Sequence, residues 1–246
     1  MKYKLLVLDV DGVLVKSKSA PVSKRVIGAI KSIRKKIKVS LCTGRVYTDL
    51  KYILDVLGIN NSHHVIESGS KVLNPDGKEE NIKDISFKDV KGIVELAGDF
   101  PQGYGFCVNG KWVDDINNIK KGIITTVSLH SHSQKRTKEI LEKIKGIKYH
   151  IAVGSHWEIP EGNFILITNP EVSKKKALEY VQEKLGITKA ETIGVGDMPN
   201  DIPLFEACGL TVAMGNGDDK LKKIADKVAP SIDDEGVAWV IKEFLK

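Results

Sequence analysis

Residues 5–15 read LLVLDVDGVLV, an apolar run interrupted only by Asp9, Asp11 and Gly12. A run of this kind fits a strand buried on both faces, and such strands belong to parallel sheets covered by helices on either side. Two carboxylates at the end of a buried strand are costly unless a charge partner or an ion meets them. The strand places residues 9 and 11 on one side, since its side chains alternate with a period of two. Gly12 then permits a tight bend.

The rest of the first third repeats the alternation of strand and helix. Ser23 is a plausible N-cap, followed at helical spacing by Val26, Ile27, Ile30 and Ile33. Lys38–Cys42 reads as a strand leading into Thr43-Gly44-Arg45. Leu50, Ile53, Leu54 and Leu57 mark a second helix closed by Gly58, and His64–Ile66 a third strand. Asn74–Gly77, NPDG, is a turn. The last third resumes this rhythm. Ser173 caps a helix running to about Leu185. Thr192–Val195 is a strand, and GDMPND at 196–201 follows it at once.

The middle differs. A helix at Phe87–Leu96 precedes two β-rich runs joined by Asn109-Gly110, the strongest short hairpin signal. More strands and a helix follow. The predicted architecture is α/β: a Rossmann-like parallel sheet with helices on both faces, formed by residues 1–78 and 164–246, with a small inserted α+β module at 79–163.

In open α/β sheets ligands bind beyond the carboxyl ends of the strands. The first strand ends there in Asp9 and Asp11, the second in Thr43-Gly44-Arg45, and Asp197, Asn200 and Asp201 follow the strand ending at Val195. Lys174 opens a helix just after the apolar run Phe164–Ile167. Converging carboxylates repel one another. A hard divalent cation relieves this, and Mg2+ takes one or two carboxylates while keeping room for a substrate phosphate. Thr43 offers a hydroxyl and nearby backbone N–H groups to phosphate oxygens, and Lys174 a point charge. The set describes phosphoryl chemistry at a magnesium ion, with one aspartate as nucleophile and its neighbour handling protons.

DVDG at 9–12, TGR at 43–45, Lys174 within SKKKAL and GDMPND at 196–201 together resemble, in order and spacing, the haloacid dehalogenase-like hydrolases. The inserted module resembles the type-two cap of the Cof-like subgroup, which includes archaeal-type phosphoglycolate phosphatases and sugar-phosphate phosphatases. The likeness covers nearly the whole chain. It implies that Asp9 attacks phosphorus to form an aspartyl-phosphate, and that Asp11 protonates the leaving oxygen and then activates water. Thr43, Gly44, Lys174 and Asn200 would hold the phosphoryl oxygens. Asp9, Asp11 (through its backbone carbonyl), Asp197 and Asp201 would form the metal site. Three departures stand out: Val13 where the family has Thr or Ser, Glu67-Ser68-Gly69-Ser70 where many relatives carry Asn-Gly, and Met198-Pro199 in the last motif. In the module, His130, His132 and His156 with Trp157 are candidate specificity residues, although a lone histidine is more often structural.

The expected activity is Mg2+-dependent hydrolysis of a small phosphomonoester, with phosphoglycolate or a sugar phosphate as leading substrates. A phosphosugar mutase or phosphotransferase is the alternative on the same scaffold, and a non-catalytic nucleic-acid binder the alternative from another class. The net charge of +6 and the pI of about 9.0 support the last only faintly. Residues 79–161 balance twelve basic against twelve acidic side chains, so the excess lies in the flanking segments, much of it on predicted helices where it reads as solvated surface. No run reaches the ~18–20 apolar residues of a membrane helix, and MKYKLLVLDVDG lacks the features of a signal peptide. Cys42, Cys107 and Cys208 have no metal-ligand spacing and read as reduced thiols. The expected setting is cytoplasmic and the partner a small phosphorylated metabolite, with neither nucleic acid nor membrane involved and the protein a monomer or homodimer.

Overall fold

In the computed structural model, residues 2–99, 101–155, 159 and 161–245 are described. His156 and Trp157 lie outside the described residues. The chain forms two compact units, Met1–Ile82 with Ser173–Lys246, and Lys83–Val172.

The first unit begins with β1 (Leu5–Leu8), α1 (Lys24–Ile33), β2 (Lys38–Leu41), α2 (Tyr47–Leu57), β3 (His64–Ile66), β4 (Lys71–Leu73) and β5 (Glu79–Glu80). Ser23 caps α1, its side chain accepting from the Val26 amide at 3.1 Å, and Gly58 closes α2 in left-handed backbone. The second unit contains α3 (Phe87–Ala97), β6 (Gly103–Val108), β7 (Lys111–Val113), β8 (Ile124–Ser131), α4 (Gln134–Lys143), β9 (His150–Ser155) and β10 (Asn163–Thr168). The chain then returns to the first unit with α5 (Lys174–Leu185), β11 (Thr192–Gly196), α6 (Ile202–Glu206), β12 (Leu210–Ala213), α7 (Asp219–Ile224), β13 (Lys227–Val228) and α8 (Gly236–Phe244).

Five strands of the first unit form a parallel sheet in the order β13-β12-β11-β1-β2. The fully buried strand β1 shows why the apolar run lacks alternation. Leu6 and Leu8 face one apolar cluster with residues of α1, α2 and α8, whereas Leu5 and Val7 face another with α5 and α6. Each such side chain contributes about 1.5–3 kcal/mol on burial. Beyond Leu41, an isolated bridge between Cys42 and Val65 leads to the small antiparallel sheet β3-β4-β5.

The second unit is an antiparallel sheet, β7-β6-β8-β10-β9, with α3 and α4 contributing to its apolar core. The β6–β7 hairpin turns at Asn109 and Gly110, both at positive φ (50° and 73°), as the Asn-Gly signal requires.

One expectation is corrected here. The sequence pattern places the apolar run Phe164–Ile167 in the parallel domain, with the module ending at 163. β10 instead pairs antiparallel with both β8 and β9 across residues 163–168, so this run belongs to the second unit, which extends to Val172. A short apolar run carries no periodicity that separates the two kinds of sheet. Among the described residues, no helix is long and apolar enough to cross a membrane.

Candidate active site

Strand β1 ends at Leu8, and the backbone turns at once. The amides of Val13, Leu14 and Val15 all point back to the Val10 carbonyl, while Gly12 N donates to Val15 O at 2.8 Å. The period-two argument therefore stops short of Asp11. Asp9 is buried and its Oδ1 accepts from Lys174 Nζ at 3.1 Å. The Asp11 side chain is more than half exposed and lies in the grip of Arg45, with Nε to Oδ2 at 2.9 Å and Nη2 to Oδ1 at 2.6 Å. Arg45 thus pairs with an acid of the first motif.

The parallel register brings the other motifs to this edge. Cys42 N donates to Leu8 O, so the strand leading into Thr43 stays alongside β1. Thr43 is buried and its Oγ1 accepts from Arg45 N at 3.2 Å, while Gly44 is exposed at the tip of the turn. On the other side of β1, β11 delivers Asp197, and Asp9 N donates to Val195 O. The three-residue helical turn Pro199–Asp201 then folds Asp201 back, so that its Oδ2 accepts from the amides of Asp197 and Met198 at 3.0 and 3.3 Å. Asn200 lies exposed on the same turn. Lys174 opens α5 after the Ser173 cap, is 3% exposed, and donates to Asp201 Oδ1 at 2.6 Å as well as to Asp9.

Asp9, Asp197 and Asp201 each direct a carboxylate oxygen into one group in which these atoms lie within 4.8 Å of one another. Burial, with Asp201 adding repulsion, pushes the Asp9 carboxyl up to about 7 despite Lys174. Burial and the nearby Asp9 and Asp201 push Asp197 to about 7 as well, with a smaller push from Asp11. Burial disfavours the Lys174 ammonium, but Asp9 and Asp201 outweigh it and raise its affinity for the proton. One lysine thus faces three carboxylates.

The residues fit a metal ion. Asp197 Oδ1 is buried without a hydrogen-bond partner, and an orphaned carboxylate oxygen in a dry site is strongly disfavoured. The donor atoms are all carboxylate oxygens, the set a hard cation prefers. Gly12 makes the space, since at φ 74° a Cβ on it would collide with the Asp197 carboxylate.

Comparison with known proteins gives the family. The family model described as haloacid dehalogenase-like hydrolase matches residues 6–145 and 109–241. The chain belongs to this family. A phosphoglycolate phosphatase of Archaeoglobus fulgidus is 29% identical over 242 residues, covering 98% of this chain and 96% of the relative. The phosphatase YwpJ of Bacillus subtilis is 26% identical over 98% of this chain and all of its own length. A haloacid dehalogenase-like hydrolase from Bacteroides thetaiotaomicron shares the fold, with a TM-score of 0.85 at 21% identity over 99% of this chain and 100% of that one.

Within this haloacid dehalogenase-like hydrolase, the sequence patterns anticipated Asp9, Lys174, Asp197 and Asp201 as one cluster. They gave no place to three other residues near it. Asn216 ties the first motif to a neighbouring loop, with Nδ2 donating to Gly12 O at 2.9 Å and Oδ1 accepting from Ile232 N at 2.8 Å. Glu67 and Lys71 are both buried and form an ion pair at 3.2 Å. The available signal for that pair was a lysine four residues after an acid, at the head of the apolar strand β4. Cys42 is inert by contrast, because burial pushes its thiol up to about 12.

Proposed function

We propose that the chain is a phosphatase for small phosphomonoesters that works with a bound Mg2+ ion. The single observation that carries this reading is the Lys174 ammonium held between Asp9 and Asp201 beside the orphaned oxygen of Asp197. A nucleophilic carboxylate, a fixed positive charge and an oxygen-only cation seat are the parts that phosphoryl transfer needs.

Asp9, Asp197 and Asp201 would hold the ion, with the backbone carbonyl of Asp11. When bound, Mg2+ supplies charge neutralisation for the phosphoryl oxygens and for the crowded carboxylates. An Asp9 oxygen bonds to phosphorus as the ester P–O bond breaks, giving an aspartyl-phosphate. Asp11 gives its proton to the departing alkoxide. It then takes a proton from water as the water oxygen bonds to phosphorus, and the Asp9–phosphorus bond breaks to release inorganic phosphate. Each step would use one Asp11 oxygen while Arg45 keeps hold of the other. Thr43, the Gly44 backbone and Lys174 hold the transferred group, with Asn200 at the outer edge. The unit Lys83–Val172 serves as a cap that chooses among substrates. The name of the Archaeoglobus relative favours phosphoglycolate as the first substrate to try, with sugar phosphates next.

The test is release of inorganic phosphate from a panel of phosphorylated metabolites, with Mg2+ and with EDTA. Asp9→Asn should lower turnover by at least ~10⁴-fold while the circular dichroism spectrum stays that of the parent. A variant that keeps most of its activity sinks the assigned nucleophile. Isomerised sugar phosphate without free phosphate points to a mutase instead.

A further inference from the structure

Two consecutive residues of the first unit adopt left-handed backbone without being glycine, Glu67 at φ 50° and Ser68 at φ 59°. That conformation costs of order 1 kcal/mol or more per residue and persists only where the surroundings impose it.

Contacts on two sides impose it. Glu67 N donates to Arg45 O at 3.0 Å and Ser68 N to Thr43 O at 2.9 Å. On the other side Gly69, at φ 101°, packs so closely that a Cβ there would stand 2.5 Å from Ser173 O and 3.1 Å from Lys174 N. The turn is wedged between the two segments assigned above to the phosphoryl group. Ser68 Oγ also lies 3.3 Å from where a Cβ on Gly44 would be.

A buried charge cluster anchors this turn. Lys71, wholly buried at 0% exposure, pairs with Glu67 at 3.2 Å and with Glu79 at 2.9 Å. Desolvation works against its ammonium, and the two carboxylates more than offset that. A hairpin strand does not need such a residue. Apolar replacements of buried ion pairs are often neutral or stabilising, so stability alone is a poor reason to keep one. What the pair adds is direction: a side chain attached to a left-handed residue is held in one place.

We propose that Lys71 is a positioning residue for the phosphate-holding groups. Through Glu67 it locks the Glu67–Ser68 turn, and the turn sets Thr43-Gly44 against Ser173-Lys174. Lys71 touches no reacting atom, and the proposal rests on the phosphatase reading above.

The experiment compares the parent with Lys71→Met, Glu67→Gln/Lys71→Met and Glu67→Gly/Lys71→Met. KM, kcat, the affinity for inorganic phosphate with Mg2+ by calorimetry, and the urea midpoint are measured for each. The Gln/Met pair keeps the test alive if the single variant fails to fold, because it leaves no unpaired charge at position 67. It should weaken phosphate binding and raise KM roughly tenfold, a modest share of what a displacement of about 1 Å can cost, with a smaller change in kcat. The Gly/Met pair should recover much of the phosphate affinity, since glycine adopts the turn unaided. Unchanged phosphate affinity and KM in a folded Gln/Met variant, whatever its urea midpoint, would make Lys71 merely structural and overturn the proposal. So would a glycine variant that binds phosphate no better than the Gln/Met pair. A parent that neither hydrolyses any phosphomonoester nor binds phosphate overturns the phosphatase reading and this one together, whereas an active parent with indifferent variants overturns this one alone.

Discussion

Arg45 holds both carboxylate oxygens of Asp11, at 2.9 and 2.6 Å, from a guanidinium that is itself only 8% exposed. The more exposed member of the pair is the one proposed to transfer protons, and the less exposed member would fix where it waits. General acid–base catalysis is worth about 10²–10⁴-fold, and loosening Asp11 forfeits part of that. Arg45→Ala should lower kcat/KM by about tenfold or more, and Arg45→Lys should fall between, because an ammonium cannot match both oxygens. The folding free energy should change by less than about 1 kcal/mol, since solvent screens a half-exposed pair. Steady-state kinetics and a urea melt read the two effects separately, and an Arg45→Ala enzyme as active as the parent contradicts the role.

Lys174 pairs with two of the three buried acids, Asp9 and Asp201. Lys174→Met leaves those acids uncompensated and should destabilise the protein by about 3–5 kcal/mol. Mg2+ at a hundred times its dissociation constant should restore about 2.7 kcal/mol of that. Urea unfolding with Mg2+ and with EDTA measures the difference. A variant whose stability ignores Mg2+ shows that the ion does not bind among these acids.

Asp9 and Asp197 both sit near 7 because burial favours their protonated forms, with repulsion from Asp201 on Asp9 and from Asp9 and Asp201 on Asp197. A cation must displace those protons, so its affinity should fall at least about tenfold from pH 8 to pH 6, with proton release on binding. Isothermal titration in two buffers of different ionisation enthalpy measures both. Without the ion, the folded state holds more protons than the unfolded one between pH 3.8 and about 7, so these two groups subtract stability as pH rises through that window. Metal-free protein should therefore gain most from added Mg2+ at the upper end of the window.

His64 works in the opposite direction. It is buried, accepts from Leu41 N at 3.1 Å through Nδ1 and meets Ile59 O at 3.0 Å through Nε2. Burial lowers its pKa from 6.5 to about 4. The unfolded chain binds a proton here that the folded one refuses, so this stabilisation is present above pH 6.5 and drains away as pH falls toward 4. A shift of this size corresponds to roughly 3 kcal/mol. His64→Gln should flatten the acid limb of the stability curve at some cost near pH 7, and an unchanged acid limb rules His64 out as its source.

Much of the site was legible because the acids and Lys174 sit at strand ends and a helix start, where α/β geometry gathers whatever the chain places. Ser23, Gly58, Ser173 and Asn109-Gly110 were legible for the same local reason. What escaped depended on contacts between distant segments. Asp11 diverges from Asp9 because β1 stops at Leu8, a fact decided by the turn around Val10 rather than by the pattern of residues. β10 joined the antiparallel sheet because its partners lie at 126–131 and 150–155, and no property of FILI reveals that. Glu67 stood out only within a departure from the family's Asn-Gly and Lys71 not at all, and their shared burial gives the pair its meaning.

Gly12 carries no functional group, yet the Asp197 carboxylate fills the space a side chain there would take. The footprint of the candidate site is therefore wider than the set of residues proposed to do chemistry. Directed evolution that spares the aspartates and randomises their surroundings should find position 12 nearly as intolerant as position 9. Variation that retunes the enzyme would have to enter from farther out.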